Sequence, residues 1–212
     1  MYLAYSPFWL RWFYRDLTWH KSRSNKCIYI TFDDGPIPVV TPWVLNILKQ
    51  FNVKATFFCI GDNVAKHPDI YRQILADGHS VGNHTFNHLN GWKTGDKAYL
   101  ENIEQCKELV QSNLFRPPYG RIKKSQISNL KSQISNLKSP ISNLQIIMWD
   151  VLSGDFDINL SPEKCLNNVL KHSRNGSIIV FHDSLKAFER LEYALPLALE
   201  NLKKKGYNFS KL

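Results

Sequence analysis

From residue 27 onward, apolar runs rich in β-branched and aromatic residues alternate with runs of helical period, and this alternation leaves few folds open. CIYITF (27–32) reads as a strand that ends at DDGP. TPWVLNILKQF (41–51) has apolar residues at helical spacing, with Thr41 placed to cap a helix and Pro42 in its first turn. KATFFCIG (54–61) is a second strand, followed by a helix over 68–77 that stops at Gly78, then a short strand and loop in HSVGNHT (79–85). Helical spacing over 96–111, a strand end in LFRPPYG and a strand in QIIMWDV (145–151) come next. A helix over 162–172, a strand in SIIVFHD (177–183) and a helix over 187–204 complete the series. Such alternation predicts a parallel sheet with helices outside it. No linker divides the run, so the expectation is one α/β domain over 27–212 behind an N-terminal extension, residues 1–26. The 212 residues suffice for one α/β barrel, and 43% hydrophobic with 21% charged residues is the balance of a chain that buries a core.

Asp33, Asp34, Arg116, Asp155 and His182 each fall at the C-terminal end of an apolar strand or in the loop after it. A βα barrel assembles its active site at that end. In HTFNH (84–88) two histidines stand four residues apart; on one turn of helix this spacing puts both imidazoles on one side, close enough to share a metal. An acidic turn and an i, i+4 histidine pair are each common alone. Together they suggest two histidines and one aspartate around a metal with a position left for water, the arrangement of a catalytic zinc. Two adjacent carboxylates then divide the labour, one binding metal and the other taking a proton from the water.

Five segments, TFDDGP (31–36), HTFNH (84–88), RPPYG (116–120), WDVLSGDF (149–156) and IIVFHD (178–183), carry a resemblance beyond this. In order, they look like the five motifs of the NodB-homology polysaccharide deacetylases, carbohydrate esterase family 4. The resemblance covers about residues 27–212 and implies a distorted (β/α) barrel that hydrolyses acetyl groups from sugars with a divalent metal, usually Zn2+, with Co2+ or Mn2+ as alternatives. It gives Asp34, His84 and His88 to the metal and makes Asp33 the general base. Arg116 would hold Asp33 in place, the backbone N–H of Tyr119 would stabilise the oxyanion, His182 would be the general acid, and Asp155 would orient His182.

The implied reaction is metal-dependent removal of N-acetyl (or O-acetyl) groups from an amino-sugar polysaccharide or oligosaccharide. Two alternatives stay open: a deformylase or deacetylase of a lipid-linked sugar at the inner membrane face, and a glycan-binding relative without catalysis. The presence of Asp33 and His182 speaks against the second. Trp149 reads equally as a core aromatic or a wall of the acetyl pocket, and Thr85 as support for its loop. His20, His67, His79 and His172 lie outside the motifs and read as surface or helix-end residues. Phe156 and Leu152 depart from the family's pattern; Leu152 replaces a common acid, which leaves Asp150 as a competing partner for His182.

A formal net charge of +9 favours anionic partners, although scattered lysines also describe a solvated surface. No aromatic-basic platform appears, so nucleic-acid binding is not expected. Cys27, Cys59, Cys106 and Cys165 form no CxxC pair and read as reduced thiols. MYLAYSPFWLRWFYRDLTWHK lacks the basic start and unbroken apolar stretch of a signal peptide, which suggests a cytoplasmic or inner-membrane-associated protein. Its aromatics and Arg11 and Arg15 read either as a plug under the domain or as peripheral membrane contact through residues 1–20.

SQISNLKSQISNLKSPISNLQ (125–145) writes one heptapeptide three times, with Ile127, Leu130, Ile134, Leu137, Ile141 and Leu144 on an a/d seam. Pro140 disfavours helix at Ser139, so a break there is expected. The 25 residues between Gly120 and Ile146 exceed what one barrel helix needs, and a continuous helix would overshoot by roughly 20 Å. The surplus is expected to emerge away from the active-site face, as a protruding or hairpin-folded arm that either lacks a partner or serves association.

Overall fold

The computed structural model describes residues 3–136 and 144–212. Strand β1 (Cys27–Asp33) takes the middle of the sheet because both of its faces find buried partners. Ile28, Ile30 and Phe32 join the main core beneath the helices. Tyr29, Thr31 and Asp33 face the other side, where Tyr29 packs beside Phe58 and Ile178 while Thr31 and Asp33 accept hydrogen bonds from Arg116. On one flank β2 (Thr56–Cys59), β3 (Ser80–Asn83), β4 (Leu114–Phe115) and β5 (Gln145–Ile146) follow in turn. On the other lie β7 (Ile178–His182) and then β6 (Val151–Leu152), every neighbour parallel. β8 (Asn208–Phe209) pairs with the start of β1.

Helices α2 (Val40–Gln50), α4 (Pro68–Ala76), α5 (Asp96–Lys107), α7 (Pro162–His172) and α8 (Phe188–Lys204) connect or follow the strands. The short α1 (Phe8–Phe13) and α3 (Gly61–Lys66) and the repeat helix α6 (Lys124–Asn136) complete the described set. The expected α/β architecture is therefore present as a parallel, incompletely closed barrel. Thr41 does not cap α2: the helix begins at Val40, after Val39, and the Thr41 hydroxyl is used elsewhere.

The strand expected over 145–151 is two strands, because the chain leaves the sheet between Ile146 and Val151. The N-terminal segment fills that seam. Thr18 bridges to Ile147 on one side and Tyr5 to Val151 on the other. The N–H groups of Thr18 and Ser6 donate to the carbonyls of Ile146 (2.9 Å) and Asp150 (3.0 Å), and Met148 and Leu152 donate back to Thr18 (2.7 Å) and Ala4 (2.9 Å). Leu17 and Trp19 are buried in a second core cluster with Phe115, Ile146 and Met148. The segment is thus part of the barrel wall, although the aromatics of α1 do not pack beneath it.

Ile127 and Leu130 of α6 bury in the same cluster, so the first repeat copy serves as an ordinary outer helix. The Ser139–Pro140 break and the course of the surplus copies lie outside the described residues. His79, read as a surface or helix-end residue, is instead buried, with Nδ1 accepting the Ala55 N–H at 3.1 Å. Burial pushes its pKa down to about 4. All four cysteines are free thiols.

Candidate active site

In-register pairing of β1 with β7 sets Asp33 opposite His182 at the C-terminal ends of the two strands. The backbone then turns sharply, with Asp34 at φ 85°, which carries the two neighbouring carboxylates into different surroundings. Asp33 is buried and binds Arg116 Nη1 at 2.7 Å. Arg116, fully buried after β4, also donates to Thr31 Oγ1 (2.7 Å) and to the carbonyls of Ile147 (3.3 Å) and Met148 (3.1 Å), and lies 4.0 Å over the Phe58 ring. Five contacts thus fix the Arg116 guanidinium, one of them its ion pair with Asp33.

HTFNH is not a turn of helix. It is a loop in which Thr85 (φ 62°) and His88 (φ 56°) are left-handed. The loop holds this shape because Asn83 Oδ1 accepts the Thr85 N–H (2.8 Å) and Asn102 Oδ1 accepts those of Phe86 (2.8 Å) and Asn87 (3.0 Å). Thr85 Oγ1 accepts the Leu89 N–H at 3.1 Å, the supporting role expected of it. The outcome still matches the spacing argument, for the two imidazole rings lie 5.1 Å apart.

Ligand atoms of Asp34, His84 and His88 all lie within 4.8 Å of one another. Asp34 Oδ1 is 3.2 Å from His88 Nε2 and 3.7 Å from His84 Nε2. Yet Oδ1 is buried with no aligned hydrogen-bond donor, an expensive state for a carboxylate oxygen unless a cation completes it. His84 donates Nδ1–H to the Arg116 carbonyl at 2.8 Å, which leaves the Nε2 lone pair facing Asp34. Burial lowers the His84 pKa to about 4 and keeps the ring neutral, as a metal ligand must be. Burial alone would raise the Asp34 pKa; His88, followed by His182 and His84, outweighs it and holds the carboxyl below its usual range. The donor set fits a divalent cation.

His182 meets Asp155 twice, through its backbone N–H and through Nδ1, each at 2.7 Å. Burial would lower the His182 pKa, but the Asp155 carboxylate overrides it and, with Asp34 and Asp33 adding, pushes it up to about 9. Asp150 plays no part here. It lies at the other end of β7, buried against Arg23 (2.6 Å), Ser177 Oγ (3.1 Å) and the Ile178 N–H (2.9 Å). Phe156 stands edge-on to the His182 ring at 5.1 Å, and Leu152 is a buried strand residue. Tyr119 (φ 61°) is exposed, its ring 4.5 Å from that of His88. Trp149, half-buried, packs against the core and also lines an apolar cavity with Tyr119.

Asp183 follows His182 directly and had been given no role. It is buried and fastens the metal-side turn: Oδ1 accepts the Gly35 N–H (3.0 Å) and Oδ2 the Thr41 hydroxyl (2.6 Å). Burial pushes its pKa up to about 8. A charged residue after an apolar strand, otherwise unexplained, was the available signal.

A polysaccharide deacetylase family model matches residues 20–133. A peptidoglycan-N-acetylglucosamine deacetylase of Bacillus cereus is 35% identical over 199 residues, covering 91% of this chain and 89% of its own. A chitooligosaccharide deacetylase of Azorhizobium caulinodans is 37% identical over 169 residues, 76% of each chain. PgdA of Listeria monocytogenes is longer: the 195 matched residues, 33% identical, span 38% of it. A solved peptidoglycan N-acetylglucosamine deacetylase, in complex with an N-hydroxybenzamide, superposes with a TM-score of 0.86 at 32% identity over 98% of this chain and 95% of that one. The chain belongs to the polysaccharide deacetylase (NodB-homology, carbohydrate esterase 4) family. The relatives it is similar to include deacetylases named for peptidoglycan N-acetylglucosamine and for chitooligosaccharide.

Proposed function

We propose that the protein removes N-acetyl groups from an amino-sugar glycan by metal-assisted hydrolysis. The observation that carries this reading is the register of Asp33 against His182 beside the Asp34–His84–His88 cluster, where the two would serve as base and acid to a bound cation. Asp34, His84 and His88 would hold a divalent cation, Zn2+ first by its preference for this donor set. When bound, the cation supplies Lewis acidity that polarises the acyl oxygen and makes water nucleophilic near neutral pH.

The chain's own residues do the rest. Asp33, oriented by Arg116, takes a proton from the attacking water as its oxygen bonds to the acetyl carbon. The Tyr119 N–H donates to the oxyanion that develops. With Nδ1 engaged by Asp155, His182 gives its Nε2 proton to the amide nitrogen; the C–N bond breaks, and acetate and a free amine result. Phe156, against the His182 ring, and Trp149, beside Tyr119, would border the sugar.

The test is acetate release from N-acetylated chitin oligomers and peptidoglycan fragments by Zn2+-loaded protein, with Asp33→Asn as the blank. No release from any of these, with metal bound, would end the proposal.

A further inference from the structure

Helix α1 buries none of its residues. Phe8, Trp9, Trp12 and Phe13 are between 50% and 77% exposed. Leu10 and Tyr14 turn inward onto the second core cluster, so the aromatics occupy the outer face. The helix is held at that angle. Ser6 is bonded to the barrel through its backbone and through Oγ to Trp149 (2.7 Å), Trp19 Nε1 donates to the Tyr14 carbonyl (2.9 Å), and Arg11 Nη2 donates to Tyr5 Oη (3.0 Å). Arg174, exposed, also binds Tyr5, and Arg15, just after α1, is exposed. The nearby acid, Asp16, lies 3.2 Å from Lys131.

We propose that this face docks the protein on an anionic lipid bilayer. Trp and Phe seat at the level of lipid headgroups, and arginines beside them gain from the negative surface potential. The chain's net charge of +9 acts in the same direction. No described helix is long and apolar enough to cross a membrane, so α1 lies along the surface. A second copy is a poorer occupant, because a symmetric contact would press together two faces that each carry Arg11, Arg15 and Arg174. The inward side of the N-terminal segment, through Leu10 and Tyr14, shares a cavity of about 280 Å³ with Tyr119, which leaves the outer aromatic face free to dock. The docking does not rest on the deacetylase reading.

Flotation of the full chain with phosphatidylglycerol-containing vesicles tests it, against pure phosphatidylcholine and at low and high salt. The expected result is binding to the anionic vesicles only, weakened by salt. Phe8→Ser combined with Trp12→Ser should lower partition by about tenfold or more, and Arg15→Glu by at least about fivefold, both with unchanged melting temperature. The proposal falls if anionic vesicles are not bound, or if both lipids bind equally. It also falls if the aromatic variant instead abolishes a dimer seen by light scattering, or retention on a soluble glycan. Binding is read without turnover, so a failure here and a failure of the deacetylase reading are separable.

Discussion

Asp155 grips His182 at two points 2.7 Å long, one on the backbone N–H and one on Nδ1. Asp155 is itself held by Ser153 Oγ (3.0 Å) and, at its carbonyl, by Arg190 Nε (2.7 Å). The ring is therefore fixed in orientation and stays protonated until about pH 9. Catalysis that needs the proton should persist at neutral pH and decline as pH rises through that value. Stability from the pair has the same sign: the folded pKa is raised above 6.5, so the contribution is complete below 6.5 and is lost as pH rises toward about 9. In Asp155→Asn, burial is left as the dominant influence, and the alkaline limb of kcat/KM should move down by more than one pH unit. An unmoved limb would mean that another group supplies the proton.

Asp33→Asn separates base from ligand. The carboxylate binds Arg116 and is outside the Asp34–His84–His88 cluster, so metal binding measured by calorimetry should survive while turnover drops by about 10²–10⁴-fold. Asp34→Ala should do the reverse at the first step and lose the metal. Arg116→Met is a different experiment: it strands a buried carboxylate and should cost about 3–5 kcal/mol in chemical denaturation.

Gly35 is pinned by Asp183. A Cβ placed there would lie 1.9 Å from Asp183 Oδ2, with the carboxyl unable to yield because Thr41 and the Gly35 N–H hold it. Gly35→Ala should therefore shift the turn that carries Asp34, lowering metal affinity and melting temperature together. Asp183→Ala leaves the Gly35 N–H buried without an acceptor, a loss of about 1–3 kcal/mol. Its effect on metal affinity, read by competition with a chelator, distinguishes a turn that positions Asp34 from one that merely packs.

The strands, the outer helices and the polar residues at strand ends were legible because each depends on period and local composition. What escaped depended on distant partners. HTFNH shows its two histidines at a helical spacing, but the loop is shaped by Asn83 and Asn102, which satisfy its N–H groups from outside the segment. Thr41 has the look of a cap, yet its hydroxyl is taken by Asp183, 142 positions away. QIIMWDV reads as one strand because nothing local reveals that residues 4–18 pair into its middle. A lone His79 carries no mark of the Ala55 N–H that draws it inside. Asp150 competes with Asp155 as partner for His182 in the sequence, and only the register of β6 and β7, which places the two at opposite ends of the sheet, removes it.

The same seam supplies the last prediction. Residues 4–22 close the gap between β5 and β6 with backbone hydrogen bonds to Ile146, Met148, Asp150, Leu152 and Gly176, and they bury Leu17 and Trp19. Five such bonds at about 1 kcal/mol each, with the burial of Leu17 and Trp19 against the core forfeited as well, approach the whole stability of an ordinary domain. Arg23, just beyond, neutralises the buried Asp150, and Arg23→Ala alone should cost about 3 kcal/mol. Deletion of residues 1–22 should accordingly yield a chain without a cooperative thermal transition and without slow-exchanging amides in β5 and β6. A deletion variant that melts like the full chain would mean the segment is an appendage. The surface substitutions in α1, which touch none of these bonds, should leave the transition where it is.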